Sequence, residues 1–160
     1  MFYSPTGSST GKATALAPVP RAATRPGITD VLLISPHEFD KLMLEQDLSP
    51  KEWHVIHVRT CEEATAVMAS ILIPVIVCDQ SVGGGQWQEA LKALFSSPHP
   101  APVLLAAGTY DWRLWIDTID HGGFDLITKP FRGVEEKLKA ASRHWKEGRV
   151  RRTWDHFFRR

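Results

Sequence analysis

Short apolar runs alternate with stretches of helical period along most of this chain, from residue 29 onward. The apolar runs predict buried strands, because a strand inside a parallel sheet is covered on both faces. Between them, apolar residues recur every three or four positions, as on one face of a helix. The pattern predicts five β-α units, with strands at residues 31–34, 53–58, 74–78, 103–107 and 124–128.

Strands that alternate with helices through short connections form a parallel sheet with helices on both faces, so the predicted fold class is α/β. Sites in such sheets lie at the carboxyl ends of the strands. The residues expected at those ends are Ser35, Pro36, His37 and Glu38 for the first strand, Asp79 for the third, Ala107 and Gly108 for the fourth, and Lys129 and Pro130 for the fifth.

Two of the predicted helices bear on later questions. In the first, Phe39, Leu42 and Met43 fall on one face and are predicted to point into the core. The fourth carries Trp112 and Trp115, with Tyr110 just before it. Two interpretations of these aromatic rings stay open: they pack into the core, or they form an exposed docking or dimer face, since aromatic residues are enriched at interface centres.

The length of 160 residues favours a single domain with tails, and 43% hydrophobic and 23% charged residues are typical of a globular protein. We predict a flexible leader at residues 1–28, rich in Ser, Thr, Gly, Ala and Pro, and a domain at residues 29–146. Residues 147–160 are predicted to be a basic amphipathic extension that includes Trp154 as an interaction residue.

No run is long and apolar enough to span a bilayer and no secretory signal is recognisable, so we expect a cytoplasmic location.

Three motifs resemble the receiver domain of bacterial response regulators, over roughly residues 29–146. They are VLLIS at residues 31–35, PVIVCDQSVGGG at residues 74–85 and GGFDLITKPF at residues 122–131. The last is the most specific, since family members commonly read Gly-Ala-x-x-Tyr-x-x-Lys-Pro-Phe there. The resemblance implies a flavodoxin-like, doubly wound sheet of five parallel strands in the order 2-1-3-4-5.

The resemblance also implies a site. Asp79 matches the phospho-acceptor aspartate, and Lys129 matches the lysine that pairs with the phosphoryl group, with a cis bond to Pro130. Mg²⁺ is the implied cofactor, but Ser35 and Pro36 stand where family members place the two acidic residues that hold it. Only weak Mg²⁺ binding, by Asp79 with Glu38 swinging in, is therefore expected.

Two further positions depart from the family pattern. Ala107 matches the hydroxyl residue that follows the phosphoryl group on activation, and Leu126 matches the switch tyrosine. The alternative for Asp79 is structural, in which it caps the following loop and forms an ion pair with Lys129.

Two function hypotheses follow. The first is a stand-alone, atypical receiver in two-component or phosphorelay signalling, phosphorylated at Asp79 by a histidine kinase or phosphotransfer protein and contacting a downstream protein or a second copy. The alternative is a phosphate-independent protein-interaction module that keeps the receiver fold. Neither is an enzyme, and no room is left for a helix-turn-helix, so sequence-specific DNA binding is not expected. A small α/β enzyme is a third alternative, which needs a bound ligand or metal for support.

Overall fold

The computed structural model describes residues 25–158, with side chains described as far as residue 149. Ten elements alternate along this part of the chain, which confirms the five predicted β-α units. They are β1 (Thr29–Ile34), α1 (Phe39–Asp47), β2 (Trp53–Val58), α2 (Cys61–Ser70), β3 (Val75–Asp79), α3 (Trp87–Phe95), β4 (Val103–Ala107), α4 (Trp112–Asp120), β5 (Asp125–Thr128) and α5 (Glu135–Phe158).

The five strands form one parallel sheet in the order β2-β1-β3-β4-β5, as the resemblance implies. The register aligns the carboxyl ends of the central strands, because Ile34 pairs with Cys78 and Asp79 pairs with Ala106. At the next step across the sheet, Ala107 pairs with Thr128. The residues that end β1, β3, β4 and β5 therefore meet at one edge of the sheet.

A hydrophobic core lies on each face of the sheet, because alternate residues of each strand point to opposite faces. On one face, strand residues such as Leu32, Ile76 and Leu105 pack with Met68 of α2 and Leu91 of α3. On the other, residues such as Leu33, Val77 and Leu104 pack with Leu44 of α1 and Leu138 of α5. This two-sided burial fixes the sheet and leaves its carboxyl edge to carry polar groups.

Helix α1 turns a different face inward from the one that we predicted. Phe39 and Leu42 are exposed, whereas Asp40 and Leu44 are buried, followed by Leu48 just after the helix. These three residues are spaced four apart, which also fits one face of a helix. The predicted inward face of α1 was therefore wrong for Phe39 and Leu42, whereas Met43 packs partly against the core.

Helix α4 is attached to the sheet by a narrow side. Thr118 is its buried residue and Leu114 packs partly against the core, while Trp112, Trp115, Ile116 and Ile119 are exposed. The helix ends as predicted at the His121-Gly122-Gly123 segment, where Gly122 has a φ of +87° and the backbone N–H of Gly123 donates to the Thr118 carbonyl at 2.8 Å. The structure therefore corrects the core-packing interpretation of Trp112, which is 60% exposed.

Most of the predicted leader, and the side chains of most of the predicted tail, lie outside the residues that the structure describes. Residues 1–24 lie outside the described residues, so the leader at residues 1–28 stays a prediction. Helix α5 runs through Gly148 to Phe158 without a break, but the side chain of Trp154 lies outside the described set. Within residues 25–158, no helix combines the length and the apolar character needed to cross a membrane.

Candidate functional site: Asp79, Lys129 and Asp40

Asp79 closes β3 and is almost fully buried, and its two carboxylate oxygens have different partners. Its Oδ2 atom accepts hydrogen bonds from the backbone N–H of Ser81, at 2.9 Å, and from the Ser81 hydroxyl. Because the third strand enters a turn at this point, the carboxylate caps the loop that follows it. This is the first half of the structural role that the sequence left open.

Lys129 supplies the second half of that role. The residue follows β5, where its backbone N–H donates to the Ala107 carbonyl at 2.9 Å, and its peptide bond to Pro130 is cis, as the resemblance implies. The ammonium nitrogen Nζ lies 2.5 Å from Asp79 Oδ1. The two residues that the sequence placed at separate strand ends are therefore in direct contact.

A third charged residue, Asp40, completes the site and was missed by the sequence reasoning. Its Oδ2 atom lies 2.6 Å from Lys129 Nζ and accepts a hydrogen bond from the buried hydroxyl of Ser35 at 2.6 Å. The signal that could have found it is the spacing of Asp40, Leu44 and Leu48, which puts an acid on the buried stripe of α1. An acid in the first turn of a helix is also favoured by the helix dipole, so its position in the sequence does not by itself indicate a contact with Lys129.

His37 lies at the mouth of the site, half exposed to solvent. Its Nε2 atom is 3.1 Å from the Ser81 hydroxyl oxygen and 3.8 Å from Asp79 Oδ2. Its backbone N–H donates to the Ser35 hydroxyl oxygen at 3.1 Å. His37 thus joins the ends of β1 and β3 through hydrogen bonds, at a distance from Asp79 too long for a direct one.

The electrostatic balance of the site keeps Asp79 and Lys129 ionised. Burial alone raises the pKa of Asp79, but hydrogen bonds from Lys129 and Ser81 outweigh it and lower the pKa below the ordinary value for aspartate. Burial lowers the pKa of Lys129, and the hydrogen bonds to Asp40 and Asp79 reverse this and raise it above the ordinary lysine value. At neutral pH the site therefore holds an ionised Asp79 against a protonated Lys129.

The residues present do not fit a magnesium site. Ser35 offers a neutral hydroxyl that is already donated to Asp40, and Pro36 has no ligand atom on its side chain. Glu38 does not swing toward Asp79: its side chain is 77% exposed, and its Oε1 atom lies 2.5 Å from Arg59. Among residues 25–149, whose side chains are described, no group of three or more His, Cys, Asp or Glu is arranged to hold a metal ion. In this structure Glu38 is paired with Arg59 and does not contact Asp79, so its role as a weak metal ligand stays a prediction.

The positions that the resemblance ties to activation are apolar and buried. Ala107 ends β4 without a hydroxyl to offer, and Leu126 of β5 is completely buried in the core. A leucine packed on all sides has neither the free volume nor the polar end that a moving switch residue needs. The arrangement can hold Asp79 as an ionised carboxylate, but it lacks the neighbouring groups that couple a phosphoryl group to movement.

No protein-family model matches this chain, and no curated protein is similar to it in sequence. Solved structures are similar in fold. The signal receiver domain of an HD domain-containing protein from Pseudomonas fluorescens has a TM-score of 0.67 at 22% identity, over 81% of this chain and 97% of that chain. A two-component response regulator from Clostridium difficile has a TM-score of 0.62 at 20% identity, over 72% of this chain and 96% of that chain. A chain described as an adenylate cyclase from Rhodopirellula baltica has a TM-score of 0.66 at 21% identity, over 78% of this chain and 95% of that chain.

These likenesses define the class of fold. The chain is a doubly wound α/β domain with an aspartate at the end of β3 and a lysine at the end of β5. It has the fold of the receiver domain of two-component response regulators. Because one of the similar chains is described as a cyclase, the fold by itself decides no activity.

Proposed function

We propose that this chain is a receiver-type signalling module that acts by binding another protein through helix α4, without a requirement for phosphoryl transfer. The observation that carries the proposal is the exposed apolar surface of α4. Of the seven large hydrophobic side chains that are exposed among the described residues, five belong to this surface. We call it the α4 face, and its members are Tyr110, Trp112, Trp115, Ile116 and Ile119.

The α4 face has the composition of an interface centre. Aromatic side chains are enriched in such centres, and contiguous exposed apolar surface on a globular protein marks sites of protein contact. Its surroundings are polar: the Arg113 guanidinium lies over the Trp112 ring at 5.3 Å, and Asp111 accepts a hydrogen bond from the Arg113 backbone N–H. An apolar centre within a polar rim suits a protein partner that associates and dissociates.

The strand-end site supports the phosphate-independent form of this proposal. Both oxygens of Asp79 are engaged, one by Lys129 and one by Ser81. These contacts occupy lone pairs of the carboxylate and draw charge from it, which weakens Asp79 as a nucleophile. Ala107 and Leu126 offer no means of carrying the change to α4. We therefore propose a binding module and no enzymatic activity.

Phosphorylation of Asp79 is the second candidate. It is favoured by one observation, the lowered pKa that keeps this carboxylate ionised beside an ammonium group. In that case a carboxylate oxygen of Asp79 forms a bond to phosphorus, the bond from phosphorus to the donor breaks, and Lys129 pairs with the phosphoryl oxygens. A histidine kinase or phosphotransfer protein is then the donor, and the cytoplasm is the proposed location of both.

A direct test compares two variants for binding to the purified histidine kinases and phosphotransfer proteins of the source organism. Trp112→Ser removes the most exposed ring of the α4 face, and Asp79→Asn removes the acceptor carboxylate. We expect Trp112→Ser to weaken binding of the partner at least tenfold and Asp79→Asn to change it less than twofold, measured by biolayer interferometry.

Intact mass after incubation with acetyl phosphate and Mg²⁺ separates the two candidates. We expect no adduct on the wild type. An adduct of one phosphoryl group that is absent from Asp79→Asn, together with partner binding that needs it, contradicts the phosphate-independent proposal and supports the second candidate.

A further inference from the structure

The ammonium group of Lys129 lies between two buried carboxylates. Its nitrogen is 2.5 Å from Asp79 Oδ1 and 2.6 Å from Asp40 Oδ2. The side chains of Asp79 and Asp40 are only 5% and 3% exposed, so water contributes little to solvating their charges. Each carboxylate therefore depends on the same ammonium group as its counter-charge.

Asp40 is itself held in place by the segment that replaces the usual acidic pair. The Ser35 hydroxyl is completely buried and donates to the same oxygen of Asp40 that contacts Lys129. That hydroxyl in turn accepts the backbone N–H of His37. The Ser35 hydroxyl thus fixes the orientation of Asp40, because it donates a hydrogen bond to the carboxylate.

From this geometry we infer that Asp40 is a positioning residue that holds Lys129 on Asp79, and that the ammonium group takes the place of a divalent cation in this site. Carboxylate oxygens of Asp79 and Asp40 contact the nitrogen at 2.5 and 2.6 Å, so the position between the two carboxylates already holds a positive charge. A divalent cation at this point has to displace a positive group of fixed position. The inference concerns the strand-end site of the proposed function, but it does not depend on what the α4 face binds.

The test is Mn²⁺ binding, followed by the free-ion electron paramagnetic resonance signal and by the melting temperature. The wild-type chain is expected to bind no Mn²⁺ at concentrations up to 1 mM. Lys129→Gln leaves Asp40 and Asp79 without their shared cation, so this variant is expected to bind Mn²⁺ and to melt roughly 5 °C higher at ten times its dissociation constant. The double variant Lys129→Gln with Asp40→Asn is expected to bind at least tenfold more weakly.

The matched control is Lys139→Gln, which removes a lysine paired with Glu136 on the exposed side of α5. It is expected to bind no Mn²⁺, like the wild type. Binding of Mn²⁺ to the wild type as tightly as to Lys129→Gln overturns the inference. So does a Lys129→Gln variant that folds and binds none.

A second measurement tests the positioning role in case Lys129→Gln does not fold. The ammonium protons of a partly buried, doubly paired lysine exchange with water more slowly than those of an exposed lysine, and they can be followed by proton–nitrogen NMR. In Asp40→Asn, which keeps the shape of the side chain, we expect the exchange of the Lys129 ammonium protons to speed up at least tenfold. Unchanged exchange overturns the positioning role. A failed binding test at the α4 face leaves these readouts untouched, so the two proposals fail separately.

Discussion

The Asp79 site and the α4 face satisfy their chemical groups in opposite ways. In the site, the charged groups of Asp40, Asp79 and Lys129 are paired with one another and with serine hydroxyls. On the α4 face, large apolar groups such as Trp112 stay exposed to solvent. The charged groups of the site are therefore already paired, whereas the apolar groups of the α4 face are available for contact with another molecule. The comparison teaches that paired charged groups at the strand ends and exposed apolar groups on α4 occur together in this fold, and the proposed binding role rests on that contrast.

The largest expected effect compares the stability contribution of a core tryptophan with that of a tryptophan on the α4 face. Trp87 of α3 is buried in the core, whereas Trp112 is exposed. Trp87→Ala should lower the free energy of unfolding by about 3 to 5 kcal/mol, and Trp112→Ala should change it by less than about 0.5 kcal/mol. Chemical denaturation followed by circular dichroism measures both. Equal losses for the two variants contradict the assignment of Trp112 to a binding face.

The next effect concerns the closure of the site. Lys129→Ala removes the counter-charge of two buried carboxylates, so it should lower the free energy of unfolding by roughly 3 kcal/mol. The control is Lys41→Ala, because Lys41 pairs with Glu45 on an exposed turn of α1 and such pairs contribute well under about 1 kcal/mol. If both variants lose the same small amount in urea unfolding, the site is open to solvent and the comparison fails.

A pH series sharpens the same point. The pKa of Asp79 is lowered in the folded chain, so its contribution to stability is present above the unfolded value, about pH 4, and is lost as the pH falls through the folded value. Asp79→Asn should therefore lose less stability than the wild type between pH 7 and pH 3. The pKa of Lys129 is raised, so its contribution is present below about pH 10.4 and is lost only as the pH rises beyond that. Parallel curves for wild type and Asp79→Asn, with Asp120→Asn as control, contradict the pairing.

The sheet and its order could be predicted because apolar runs mark most of the strands and because the motif around Lys129 resembles that of a known family. The contact between Asp79 and Lys129 followed from the same information, since both residues end strands that the fold brings to one edge. Asp40 did not follow. Its role depends on which face of α1 turns inward, and the exposed Phe39 and Leu42 gave that helix a second apolar stripe. A helix with two apolar stripes can pack in two ways, and the sequence of the helix does not show which stripe faces the sheet or that Lys129 contacts Asp40.

The α4 face was equally ambiguous in the sequence. Trp112, Trp115, Ile116 and Ile119 form an apolar stripe of helical period, which is the usual pattern of a core face. The structure turns Leu114 and Thr118 toward the sheet in its place. The close contact that Gly123 permits with Thr118 helps to fix this orientation, since a Cβ atom at Gly123 comes within 2.5 Å of the Thr118 methyl carbon. Such a contact depends on the path of the backbone, and a periodicity carries no information about it.

The smallest expected effect lies where the comparison is least sharp, at Trp115. This ring belongs to the α4 face and is 39% exposed, yet its indole N–H donates to Asp125 Oδ1 of β5 at 3.1 Å. Trp115→Phe keeps an aromatic ring and loses this bond, so the free energy of unfolding should fall by about 0.5 to 1 kcal/mol. Partner binding should weaken less than with Trp112→Ser, because an apolar ring remains on the face. A stability loss near that of Trp87→Ala shows instead that Trp115 belongs to the core, and it moves the edge of the binding face to Trp112 and Ile116.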